Sequence, residues 1–189
     1  CLSDWSSDVC SSDLDLLYLN DGKGNFERDL RFPTIFENGS CVTAADMDHD
    51  GDLDLFVGSR MLSTKYGMSP SSNLYINDGT GGFKNYSKRF IPEIGELGMV
   101  TDAEWADVNK DGYADLVVAQ DWGGILVFKN ERGRKLVKQE MVPGTEGLWG
   151  CLKPADIDGD GDMDFIAGNF GLNSKIKASA EFPATLSVN

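Results

Sequence analysis

The chain has 189 residues, with 17 Lys and Arg against 31 Asp and Glu, and a formal net charge of −14. It has no basic stripe to neutralise phosphates, which argues against a nucleic-acid partner. It also has no apolar run approaching the roughly 20 residues of a membrane-spanning helix.

In chain order, residues 1–14 (CLSDWSSDVCSSDL) show no apolar period and no relation to the rest of the chain. They resemble a translated sequencing-adapter read and are set apart from the fold as a non-native segment, with the domain taken as 15–189. Cys1 and Cys10 then drop out of the cysteine count. Asp15–Phe26 carries a β-prone run and an Asn-Asp-Gly turn, which predicts a hairpin. After a link at Asp29–Ser40, strands are predicted at Cys41–Ala45, Asp54–Ser59, Asn73–Asn77 and Gly82–Tyr86. A second set lies at Val100–Ala106, Asp115–Gln120, Ile125–Asn130 and Arg134–Gln139. A third begins at Trp149 and stops after its second strand. The hairpin Asn73–Phe83 repeats the pattern of the first. The hairpin at Ile125–Gly133 is weaker, with Glu131-Arg132 where Asp-Gly is usual. Cys41 and Cys151 each lie five residues before an acidic loop, and are expected as small buried strand residues without a disulfide.

Between the first and second strand of each set lies the pattern D-x-[DN]-x-D-G-x-x-D. Its copies are Asp46–Asp54, Asp107–Asp115 and Asp156–Asp164, hereafter loops 1, 2 and 3, spaced 61 and then 49 residues apart. They hold five, three and five of the chain's 22 Asp, 13 in all. Carboxylates this dense repel one another unless a cation sits among them. Oxygen donors at alternate positions suit a hard ion, and Ca²⁺ fits best, about three ions in total. The expected ligands are Asp46, Asp48, Asp50, Asp52 and Asp54; Asp107, Asn109, Asp111, Tyr113 and Asp115; and Asp156, Asp158, Asp160, Asp162 and Asp164. The seventh residue of each loop (Asp52, Tyr113, Asp162) is expected to act through its backbone carbonyl, and the sixth is Gly because the turn needs positive φ. An EF-hand would need Glu at the twelfth position and flanking helices, but Val57, Val118 and Ala167 stand there, in β-prone runs.

Four-stranded units at this period read as β-propeller blades. The alternation of D-x-D-x-D-G-x-x-D with L-Y-x-N-D-G-x-G-x-F resembles the FG-GAP/VCBS repeats of integrin-alpha-type propellers, from Asp15 to about Pro183. The resemblance implies an all-β fold. It would be a partial propeller of two whole blades and two halves, with boundaries near 15–40, 41–97, 98–148 and 149–189, from a ring of about seven. It also implies Ca²⁺ in the loop between the first two strands of each blade. A run of about three blades cannot close a ring, so the chain is read as a fragment.

Connections in an up-and-down blade alternate between the two ends, so the longer loops gather opposite the Asp loops. They carry Arg60, Lys65, Tyr66, Trp122, Asn169, Phe170, Asn173 and Lys175, a candidate ligand face. Trp122 and Phe170 have an alternative role as packing between blades. His49, at the fourth place of loop 1, is expected to be solvated. No nucleophile elbow, phosphate loop or zinc-spaced Cys pair is present. The sequence therefore points to a non-catalytic module, extracellular, at the cell surface or periplasmic, that binds protein or glycan. The alternatives are the propeller of a polysaccharide lyase-like enzyme and a passive scaffold.

Overall fold

Every unit starts from the same local rule. A strand whose two faces are both buried must be apolar at every position, and one with a single buried face alternates. Leu116-Val117-Val118-Ala119 is such a continuous run, and all four side chains are buried. In the computed structural model, which describes residues 15–34, 38–62, 65–171 and 184–186, this run forms the centre of the molecule.

Twelve strands are described: β1 (Tyr18–Asn20), β2 (Phe26–Arg28), β3 (Asn38–Ala45), β4 (Asp54–Met61), β5 (Asn73–Asn77), β6 (Phe83–Asn85), β7 (Met99–Ala106), β8 (Asp115–Gly123), β9 (Leu126–Asn130), β10 (Leu136–Lys138), β11 (Gly147–Ala155) and β12 (Asp164–Asn169). All the pairings are antiparallel. β1 and β2 form a hairpin, and β3-β4-β5-β6 is a four-stranded meander. β7-β8-β9-β10 is a second meander, joined to β11-β12 where Leu148 pairs with Asp121 and Gly147 with Gly123. The fold is therefore all-β and antiparallel, in the arrangement of partial propeller blades. The strands predicted within 41–139 appear with ends shifted by at most three residues. Residues 1–14 lie outside the described residues.

Two apolar layers hold the units together. Leu116 and Val118 face a cluster with Met47, Phe56, Leu74, Val100, Ala103 and Phe128, between the two meanders. Val117 and Ala119 point the other way, against Leu152, with Phe165 and Ala167 beside them. The middle meander is thus covered on both sides, which is why β8 reads as an unbroken apolar run.

The link after β6 holds a one-turn helix, α1 (Ser87–Phe90), and a 3₁₀ turn at Ile94–Glu96. Phe90, Ile91, Ile94 and Leu97 are buried in the first cluster. Their spacing is that of a helical stripe, but it is too short to stand out from a loop in the sequence.

The cysteines need a partial correction. Both lie at the same register, with Cys41 opposite Gly58 and Cys151 opposite Gly168, and both are free thiols. Cys41 is half-buried and Cys151 is exposed. β7 explains the difference. A Cβ at Gly58 would sit 2.5 Å from Val100 Cγ1 and 2.6 Å from Cys41 Sγ, so β7 presses on this spot. Among the described residues nothing equivalent covers Cys151. Burial pushes the Cys41 thiol up to about 11, so it stays protonated and inert.

Candidate metal centres in three repeated loops

Each loop is folded by its own carboxylates accepting backbone N–H groups. In loop 1, Asp46 accepts from the N–H of Asp50 (3.1 Å) and of Gly51 (3.1 Å), and Asp50 accepts from Asp52 (3.0 Å). In loop 2, Asp107 accepts from Asp111 (3.1 Å) and Gly112 (2.8 Å), and Asp111 from Tyr113 (3.0 Å). In loop 3, Asp156 accepts from Gly159 (2.8 Å) and Gly161 (3.1 Å), and Asp160 from Asp162 (3.0 Å). The sixth residue takes positive φ each time: Gly51 at 97°, Gly112 at 89° and Gly161 at 84°. The fourth does so too: His49 at 62°, Lys110 at 59° and Gly159 at 78°. This second left-handed position was hidden in the sequence, because only one copy has a glycine there.

The ninth residue has a role that sequence reasoning missed. Asp54 is fully buried and ties two separate segments together. One oxygen accepts the Asn77 N–H (3.0 Å) and the other the Met47 N–H (3.2 Å). Asp115 repeats this, accepting from Asn130 (2.6 Å) and Val108 (3.2 Å), with the Asn109 side-chain amide as a third donor (3.3 Å). Asp164 is half-buried and accepts only from Ile157 (3.0 Å) among the described contacts. The Asn of the hairpin turn is thus clasped to the end of the Asp loop, which couples the chain's two repeated motifs at one end of the blade.

Carboxylate oxygens then collect. One each from Asp46, Asp48 and Asp50 lie within 4.8 Å of one another, as do one each from Asp156, Asp158 and Asp164. In loop 2 the third position is Asn109, so fewer acidic oxygens meet. Asp48 Oδ1 is buried with no hydrogen-bond partner. Asp54 is raised to about 6 by burial; Asp115 is also raised, mainly by burial. Asp48 is raised by burial and by the charges of Asp50 and Asp46. Ionised carboxylates in this state lack a counter-charge. The donor set is all oxygen and partly desolvated, which fits a hard divalent cation.

Two of the seventh residues reach the preceding loop. Tyr113 stacks on His49 of the preceding loop, with ring centroids 4.1 Å apart and planes at 11°. Asp162 lies 3.8 Å from the Lys110 ammonium, again of the preceding loop. His49 is exposed, as expected, but is not merely solvated: it bridges two repeats.

The candidate ligand-face residues lie at the opposite strand ends. Arg60, near the end of β4, directs Nε (2.7 Å) and Nη2 (2.6 Å) onto Asp121 of β8. The neighbouring Trp122 donates its indole N–H to the Tyr66 hydroxyl (3.3 Å) and holds φ of 58°, a left-handed conformation costly for so large a residue. Phe170 is 57% exposed, and its N–H reaches the Leu148 carbonyl, next to Asp121 in register. Asn169 accepts the Gly171 N–H (2.6 Å), and Lys65 is exposed. The structure therefore brings Arg60, Tyr66 and Trp122 together, with Asn169 and Phe170 alongside. Asn173 and Lys175 lie outside the described residues.

Comparison with known proteins decides what these repeats are. The FG-GAP-like repeat model matches residues 4–57, 62–118 and 107–167, so it covers all three Asp loops.

The chain belongs to the FG-GAP-like repeat family.

Among curated proteins, this FG-GAP protein is similar to integrin alpha-4 of Xenopus laevis, at 27% identity over 161 residues, 73% of this chain and 15% of the relative. It is likewise similar to integrin alpha-V of Gallus gallus, at 26% over 161 residues with the same shares. Integrin alpha-PS5 of Drosophila melanogaster is 26% identical over 152 residues, 72% of this chain and 15% of the relative. The chain thus spans 15% of the length of these relatives.

Proposed function

We propose that this FG-GAP protein is a Ca²⁺-stabilised, non-catalytic propeller module, extracellular or at the cell surface, that binds a protein or glycan. The observation that carries the cation reading is Asp48 Oδ1, buried and unpaired beside the oxygens of Asp46 and Asp50. A bound divalent cation supplies the missing positive charge. The chain's own part is to hold the loops ready for it: Asp46, Asp107 and Asp156 gather the loop amides, while Asp54 and Asp115 anchor each loop to its hairpin. The side-chain ligands in this reading are the first, third, fifth and ninth residues of each loop.

The binding surface in this reading is the opposite end, where Trp122 and Tyr66 meet and Arg60 and Phe170 lie on neighbouring segments. What supports it is the left-handed Trp122, since strained residues persist where the surroundings hold them for a purpose. Isothermal titration of the full chain with Ca²⁺ tests the first half: saturable binding that Asp48→Asn weakens is expected, and no binding would remove it. A glycan array and a protein-ligand screen, each repeated with Trp122→Ala, test the second. A captured ligand indifferent to that substitution would move the surface elsewhere.

A further inference from the structure

The same cross-repeat contact occurs twice. The fourth residue of one loop touches the seventh residue of the next: His49 with Tyr113, and Lys110 with Asp162. The chemistry differs, an aromatic stack in one and an ion pair in the other, but the loop positions are identical. Both fourth residues hold left-handed backbone, at 62° and 59°, where glycine would be unstrained. A second link joins loops 1 and 2. The Asn130 side chain donates to the Met47 carbonyl in loop 1 (2.8 Å), while its backbone N–H donates to Asp115 in loop 2 (2.6 Å). Asp115 in turn holds Val108 at the start of loop 2 (3.2 Å). The hairpin turn carrying Asn130 also presses on loop 1: a Cβ at Gly133 would lie 2.5 Å from Asp48 Cα.

We infer that His49 and Lys110 are positioning residues that couple neighbouring cation sites, so that an ion in one loop raises the affinity of the next. This rests on the cation reading above. Ordering loop 1 fixes the His49 ring against Tyr113, and ordering loop 3 fixes Asp162 against Lys110. Loop 2 then loses less freedom when it binds, and the linkage must run equally in both directions.

The Gly112 N–H donates to Asp107 within loop 2 (2.8 Å), so its amide shift in an NMR titration with Ca²⁺ reports that loop. Asp48→Ala disables loop 1 and Asp158→Ala disables loop 3, since alanine removes the oxygen that Asn109 still offers in loop 2. Each is expected to weaken loop 2 about fivefold, the low end for coupled sites. In a His49→Gly background, Asp48→Ala should weaken loop 2 less than in the wild type, the remainder passing through Asn130. In a Lys110→Gly background, Asp158→Ala should leave loop 2 unchanged. Glycine suits the backbone at both positions, so these variants keep the loop fold. Equal losses with and without the bridging side chain, or no loss in the wild type, would overturn the coupling while leaving the cation sites intact. Absence of any saturable Ca²⁺ binding by the wild type would bring down the cation reading, and the coupling with it.

Discussion

Replacing the ninth residue of each loop by Ala separates hydrogen bonding from metal binding. Asp54→Ala leaves two N–H groups, of half-buried Asn77 and buried Met47, without acceptors. Each orphan costs about 1–3 kcal/mol, so about 2–6 kcal/mol is expected. That is a large share of a typical stability of about 5–15 kcal/mol. Asp115→Ala orphans Asn130 and Val108 likewise and frees Asn130 from its place beside Met47, so it should cost at least as much. Asp164→Ala gives up one described bond at a half-buried site, and about 1 kcal/mol is expected. Urea unfolding of the three variants in EDTA, where no cation contributes, reads these differences directly. Equal losses at all three positions would refute the clasp.

Adding Ca²⁺ should stabilise the wild type. At an affinity near 10⁻³ M, 10 mM Ca²⁺ contributes about 1.4 kcal/mol per site, or ~4 kcal/mol for three, a melting rise of roughly 8–16 °C; calorimetry with and without chelator checks it. The folded-state value of Asp54 lies above its ordinary 3.8, so its contribution is fully present below that pH and is lost as pH rises through about 6. Chelated wild type should therefore lose about 2 kcal/mol relative to Asp54→Asn between pH 4 and 6, measured by urea midpoints; Ca²⁺ should reverse the sign, because protons then compete with the ion. Gly112→Ala has open space around the new Cβ, so its cost of about 1–2 kcal/mol is backbone strain at φ 89° alone, and thermal unfolding should show no compensation from packing. Arg60→Ala leaves the buried Asp121 carboxylate unpaired and should cost about 1–3 kcal/mol in chemical unfolding, with Arg60→Lys restoring little of the paired Nε and Nη2 contact.

The Asp loops, the hairpin turns and the strands within 41–139 were legible because each is a local event. A glycine at the sixth loop position, an Asn-Asp-Gly turn and a period of two need only their own neighbours in the chain. The acidic oxygens of loops 1 and 3 were legible for the same reason, since alternate positions of one tight turn converge on their own.

What tertiary structure decided lies between segments distant in the chain. Asp54 looks like an acidic ligand alone until Asn77, 23 residues on, closes over it and makes it a clasp as well. His49 looks like a solvated side chain until the next repeat brings Tyr113 under its ring. Arg60 looks free until β8 places Asp121 against it, 61 residues away. Burial obeyed the same logic: Met47 and Ile157 occupy the same loop position, yet one is fully buried and the other 59% exposed. Sequence alone determined the repeating unit and its cation-suited turns, because short-range sterics and charge repulsion set them. Which carboxylates became clasps depended on how each meander folds back on its loop, and which side chains became bridges on how successive blades stack.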